Sequence, residues 1–241
     1  MEEPRGAPAE LDPSFGDGGI VRLDDVGLPV ISTIAVEPNG RILVVGSAED
    51  EMVVARFLPD GALDTEFGGG TRRIRVGETP VYLTALVVLG DGRILVGGST
   101  AGKALLLRLT PSGDRDATFG TDGVVVDPRD GAPPVYDVAL DATGRIVVAG
   151  ATDDRAVLTR YQADGSPDVS FGASGIALPT EPPSEIVLSS SVGSVIVQQD
   201  GSIVAGGGLS SRVWPSMAGP CSLGPGRPRR AAEPPSRYRT S

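Results

Sequence analysis

Histidine is absent from this 241-residue chain, and cysteine occurs once, at Cys221. The missing histidines remove the commonest general base and the commonest zinc ligand, and one cysteine excludes an intramolecular disulfide. Aromatic residues supply only 4% of the chain, so a core has to come from the Val, Ile, Leu and Ala that dominate its 40% apolar fraction. No apolar run approaches the ~20 residues that cross a bilayer as a helix. Residues 1–10 lack the basic start and apolar centre of a secretory signal. Export by that route and membrane insertion are therefore not expected, and localisation stays unknown.

Glycine (34) and proline (21) are plentiful, which fits many short strands with tight turns. The net charge of −10 is uneven: residues 214–241 hold five Arg against one acid, leaving about −14 on residues 1–213. A body this acidic repels nucleic acid and anionic membranes, so neither is expected as a partner.

A fixed internal period organises the rest. Phe15, Phe67, Phe119 and Phe171 are 52 residues apart, each followed by Gly and preceded three positions earlier by Asp12, Asp64, Asp116 or Asp168. The runs Gly40-Arg41-Ile42-Leu43-Val44-Val45-Gly46, Gly92 to Gly98 and Gly144 to Gly150 step by the same 52, and a fourth, from Gly201 to Gly207, follows 57 later. Arg56-Phe57, Arg108-Leu109 and Arg160-Tyr161 keep the period and have no fourth member.

Each repeat reads as four short strands, exemplified by residues 20–23, 31–36, 41–45 and 52–58. The strand of the Gly-Arg-Ile run is apolar at consecutive positions, which predicts burial on both faces. Asn39-Gly40, Asp91-Gly92 and Asp200-Gly201, with Thr143-Gly144 as a weaker relative, are hairpin signals at equivalent places. Pro59-Asp60-Gly61, Ser112-Gly113 and Asp164-Gly165 mark a second turn. Repeated four-stranded units of ~40–50 residues are the substance of β-propellers, and a stacked solenoid is the competing geometry. The expected fold is all-β and propeller-like, with an incomplete ring as one outcome.

The motif Leu-Asp-x-x-Phe-Gly, the run Pro-Asn-Gly-Arg-Ile-Leu-Val-Val-Gly-Ser and the segment Ala-Arg-Phe-Leu-Pro-Asp-Gly-Ala-Leu-Asp resemble the bacterial delta-60 repeat over residues 11 to about 208. The resemblance implies tandem propeller-like units found in large, often surface or secreted proteins, and it implies no catalytic residue or ligand. Thr71 and Arg115 depart from its pattern at single turns. The resulting division is a disordered stretch 1–10, four repeats over 11–208 with the fourth incomplete, and a basic, Pro/Arg-rich disordered tail 209–241.

Candidate chemistry is sparse. Gly97-Gly98-Ser99-Thr100-Ala101-Gly102-Lys103-Ala104 nearly spells a phosphate loop, but Ala104 stands where the hydroxyl belongs and Leu105 to Leu109 run in register with strands. The repeated Asp residues invite a carboxylate ring for calcium or acid/base work. Repetition gives them similar surroundings, so a turn-fixing role is expected, with Arg56, Arg108 and Arg160 pairing to the Asp eight residues on. The acidic loops at Glu49 to Glu51 and at Asp153-Asp154 differ most between repeats and are the best candidates for a partner surface, with solvated hairpin tips as the favoured reading. No catalytic residue, cofactor or metal site is assigned. The leading expectation is a non-catalytic scaffold that presents loops to a protein or carbohydrate partner. A hydrolase or lyase acting in a propeller channel through Asp and Arg is the first alternative, and a truncated fragment of a larger repeat protein, as a frameshifted tail would give, is the second.

Overall fold

The computed structural model describes residues 10–23, 27, 30–49, 51–76, 80–152, 155–178, 193–207 and 212–213. The first sheet comprises β1 (Val30–Val36), β2 (Ile42–Ala48), β3 (Glu51–Phe57) and β4 (Thr71–Ile74). The second holds β5 (Val81–Val88), β6 (Ile94–Thr100), β7 (Lys103–Leu109) and β8 (Val124–Val126). The third holds β9 (Asp137–Leu140), β10 (Ile146–Thr152), β11 (Arg155–Tyr161) and β12 (Ile176–Ala177). A fourth sheet has three strands, β13 (Ser194–Val197), β14 (Ile203–Gly207) and β15 (Arg212–Val213). Every sheet is an antiparallel meander in chain order, and no helix occurs among the described residues.

The turn chemistry explains the meanders. Gly40, Gly92, Gly144 and Gly201 all sit near φ +80° to +84°, in the left-handed region that glycine enters without a Cβ clash. The residues before them contribute in another way: Asn39 and Asp91 keep ordinary backbone and use their side-chain oxygens to accept the N–H of Arg41 and Arg93 at 3.0 and 3.1 Å. The near phosphate loop is a plain hairpin between β6 and β7, turned by Ala101 (φ +47°) and Gly102 (φ +74°).

One strand changes place relative to the expectation. The outermost strand of each of the first three sheets follows the Asp-x-x-Phe-Gly turn, because Arg56, Arg108 and Arg160 donate their N–H groups to the carbonyls of Gly70, Gly123 and Gly175, tying it back to the preceding strand. Residues 20–23 therefore do not open the first sheet, and Ile20 makes only an isolated bridge with Asp17. The expected disordered stretches 1–10 and 209–241 lie outside the described residues, except for Glu10 and the two residues of β15, which pair with β14.

The central strands are buried on both faces, as their unbroken apolar runs require. Leu43 and Val45 of β2 face the second sheet, where they meet Leu83, Ile94, Val96, Leu105 and Leu107. Leu95 and Leu106 face the other way, toward Val138, Ile146 and Val148 of the third sheet. Val147, Ala149 and Leu158 in turn meet Val195, Ile203 and Ala205 of the fourth. Each such fully buried aliphatic side chain contributes ~1.5–3 kcal/mol. The innermost strands follow one another, β1 beside β5, β5 beside β9 and β9 beside β13, so the sheets form an open series of propeller blades.

Candidate functional site

The repeated Arg, Asp and Phe residues assemble into one cluster per blade. Arg56, Arg108 and Arg160 each donate from Nε to Oδ2 of Asp64, Asp116 and Asp168 at 2.7 Å, the expected spacing of eight residues. Each guanidinium also lies over the ring of the Phe that follows: 4.6 Å from the Phe67 centroid, 4.5 Å from Phe119 and 4.6 Å from Phe171. A second arginine approaches each carboxylate, Arg41 at 3.3 Å, Arg93 at 3.4 Å and Arg145 at 3.8 Å. The remaining oxygen, Oδ1, accepts the N–H two residues on, from Glu66, Thr118 or Ser170. Burial alone would raise the Asp116 carboxyl; the hydroxyl and N–H of Thr118 and the Arg108 guanidinium outweigh it and hold it down at about 2.

These carboxylates are buried and fully engaged, which suits turn fixation and not proton transfer. Asp12, the fourth of the series, is exposed, and its carboxylate bonds only to Ser14 among the described residues. The four Asp do not converge. Asp64 and Asp116 each sit at the junction of their own blade with the next, where Arg56 also donates to the Pro111 carbonyl at 2.8 Å and Arg108 to that of Ala163.

The third blade adds a network that sequence reading missed. Tyr161, 0% exposed, stands where the repeat has Phe57 and Leu109, and its hydroxyl donates to Asp127 Oδ2 at 2.5 Å. Arg129 closes the set with three bonds to the Asp127 carboxylate and a fourth to the Ser174 carbonyl. Burial, reinforced by the bond to Asp127, pushes the Tyr161 phenol well above its ordinary value. Desolvation acts against ionised Asp127, yet Arg129 and the phenol keep its carboxyl below the usual range. The signal was available as the one hydroxylated aromatic in the Arg-Phe slot.

An open cleft of about 420 Å³ lies between the first and second blades at the β2–β3 hairpin end. Val30 and Ser32 of β1, Ser47 of β2, Glu49 and Glu51 of the hairpin, and Tyr82 and Thr84 of β5 line it. Tyr82 is 63% exposed. Glu49 holds φ +54°, strained backbone for a residue with a Cβ. Arg73 and Arg75, each 3.7 Å from Glu51, partly neutralise that carboxylate. The candidate partner loop at Glu49 to Glu51 is thus one wall of a cleft whose other wall, Tyr82, was not anticipated. The second acidic loop, Asp153-Asp154, lies outside the described residues. No group of three or more metal-ligating side chains occurs among the described residues, and none of them forms a helix long and apolar enough to cross a membrane.

Residues 37–67, 89–119 and 142–171 match the family described as Domain of unknown function (DUF5122) beta-propeller. No curated protein matches the chain by sequence. Among solved structures, the extracellular domain of BT4673 from B. thetaiotaomicron is similar at 17% identity and TM-score 0.46, over 78% of this chain and 22% of that one. A streptogramin B lyase is similar at 15% identity and TM-score 0.47, over 74% of this chain and 48% of that one. The PQQ-bound aldose sugar dehydrogenase from Streptomyces coelicolor is similar at 14% identity and TM-score 0.45, over 75% and 63%. The chain spans less than half the length of the first two.

Proposed function

We propose that this chain of β-propeller repeats, of the delta-60 type by its period of 52 and its Leu-Asp-x-x-Phe-Gly turns, is a non-catalytic binding module for a hydroxyl-rich carbohydrate. The observation that carries the reading is the cleft between the first two blades, where an exposed aromatic ring, three hydroxyls and two carboxylates converge. An aromatic face takes the apolar side of a sugar ring, and carboxylate and hydroxyl oxygens accept hydrogen bonds from its hydroxyl groups. Rigid sheets on both sides hold these groups with little ordering cost on binding. The arginine and aspartate residues that a channel hydrolase or lyase would use are instead bound to one another at the blade junctions.

Calorimetric titration with a panel of neutral and amino oligosaccharides tests the proposal. Binding of one class that Tyr82→Ala weakens at least tenfold and Glu51→Gln weakens less is the expected result. Absence of binding up to millimolar sugar, or binding indifferent to Tyr82→Ala, sinks it. Product formation from a bound oligosaccharide would replace it with the enzyme reading.

A further inference from the structure

We propose that two copies of this chain associate head to tail into one ring of eight blades, the last sheet of each copy packing on the first blade of the other. The argument starts from an interface used three times within the chain. In each junction one sheet presents its forward face and the next its backward face. Leu86 and Val88, Val138 and Leu140, and Val195 and Val197 are the inner-strand residues of the backward faces, and all pack into those cores. Their counterparts in β1 are Ile34 and Val36, which are 62% and 65% exposed. The same holds at the other end: Ala139 and Val147 complete the forward face of the third sheet, while their counterparts in the fourth are Ile196, 56% exposed, and half-buried Val204. The chain thus carries both halves of its own junction, and the inner-strand part of each is unmatched among the described residues.

Strand complementation points to the same occupant. Among the described residues the fourth sheet has three strands, and the element it lacks there is the outer strand that follows an Asp-x-x-Phe-Gly turn in the other three. Residues 10–23 contain that turn and already sit against the first blade as the outer strand of a preceding blade would. Gly16 N–H donates to the Asp60 carbonyl at 2.7 Å, as Gly120 does to Asp164 at 2.8 Å, and Val21 and Leu23 pack on Val44, Val53 and Phe57. The registers Leu106↔Val125 and Leu158↔Ala177 would set Val213 of β15 opposite the partner's Val21. Two copies of the four described sheets give eight blades, within the ~4–8 that propellers use, and a contact between unlike faces closes into a ring when the rotation allows.

Light scattering coupled to gel filtration, run on the full chain across micromolar concentrations, tests this directly. The expected species has twice the 24.6 kDa chain mass. Ile34→Asp and Ile196→Asp, both at exposed positions, should each give a monomer with the parent's circular dichroism. Mixing the two variants should restore a mixed dimer, since each supplies the face the other lacks; Val36→Asp substitutes for Ile34→Asp if that variant misfolds. A monomer at every concentration overturns the proposal. So does a dimer that Ile34→Asp breaks and Ile196→Asp leaves intact, because that requires two like faces, and so does a larger polymer sensitive to both variants.

Discussion

The junction of the second and third blades and the junction of the third with the fourth sheet begin from the same residues and end differently. At the first, Arg108 bonds Asp116, Thr118 and the Ala163 carbonyl of the next blade, and Phe119 is fully buried against Gly165. At the second, Arg160 bonds Asp168 at the same 2.7 Å and lies over Phe171, but its side chain is 16% exposed where that of Arg108 is 5%. The half of the cluster internal to a blade forms wherever the motif occurs; the half between blades needs the next blade's turn. The repeat therefore builds a blade locally and joins blades conditionally, as stacked-repeat energetics expects.

The most severe break of that comparison is Arg108→Ala, which strands a buried carboxylate and should cost ~3–5 kcal/mol, against a smaller loss of ~1–3 for Arg160→Ala. Urea unfolding of the two variants measures the gap, and equal losses would mean that the inter-blade bonds contribute nothing. Glycine tests the same contrast sterically. A Cβ on Gly165 would fall 2.7 Å from Val125 and 2.8 Å from Phe119, whereas one on Gly201, at nearly the same φ, meets nothing within 4 Å. Gly201→Ala should lose only the ~1–2 kcal/mol of left-handed strain, and Gly165→Ala distinctly more, read as the difference in melting temperature.

Tyr161→Phe isolates the extra network of the third blade. Removing one bond to buried Asp127 while Arg129 remains should cost about 1–2 kcal/mol in thermal unfolding. The mildest effect is acidic. The folded chain holds Asp116 at about 2, below the ~3.9 of an unfolded chain, so the ionised carboxylate favours the folded state. That contribution is present above pH ~4 and is lost as pH falls toward 2. Asp116→Asn should lower stability at neutral pH and flatten the acid limb of the stability curve, whereas Asp12→Asn, at an exposed site where only the bonds to Ser14 lower the carboxyl, should flatten that limb less.

Much of the fold was legible from residues alone. The pairing of Arg56, Arg108 and Arg160 with aspartates eight positions on was readable because both recur three times at the same spacing. The two-faced burial of β2, β6 and β10 followed from unbroken apolar runs. The phase of the sheets was not readable: a period of 52 has no marked beginning, so residues 20–23 could be assigned to either neighbour until the carbonyl of Gly70, Gly123 or Gly175 tied the outer strand backward. Tyr82 was invisible as a site residue because it is one of four tyrosines on an ordinary strand, and only the approach of the β2–β3 hairpin gives it a cleft.

The sequence by itself determined the local structure: turns where glycine alone tolerates the backbone, strands where apolar residues run together, and a salt-bridged cluster wherever Arg, Asp and Phe recur. Those are interactions over about ten residues, and a short motif contains both partners. Tertiary structure alone decided which copy of a motif is buried. Asp12 and Asp116 occupy the same slot, yet one is exposed and the other, between two arginines, is held ionised to about pH 2, because burial depends on the neighbouring blade and not on the motif.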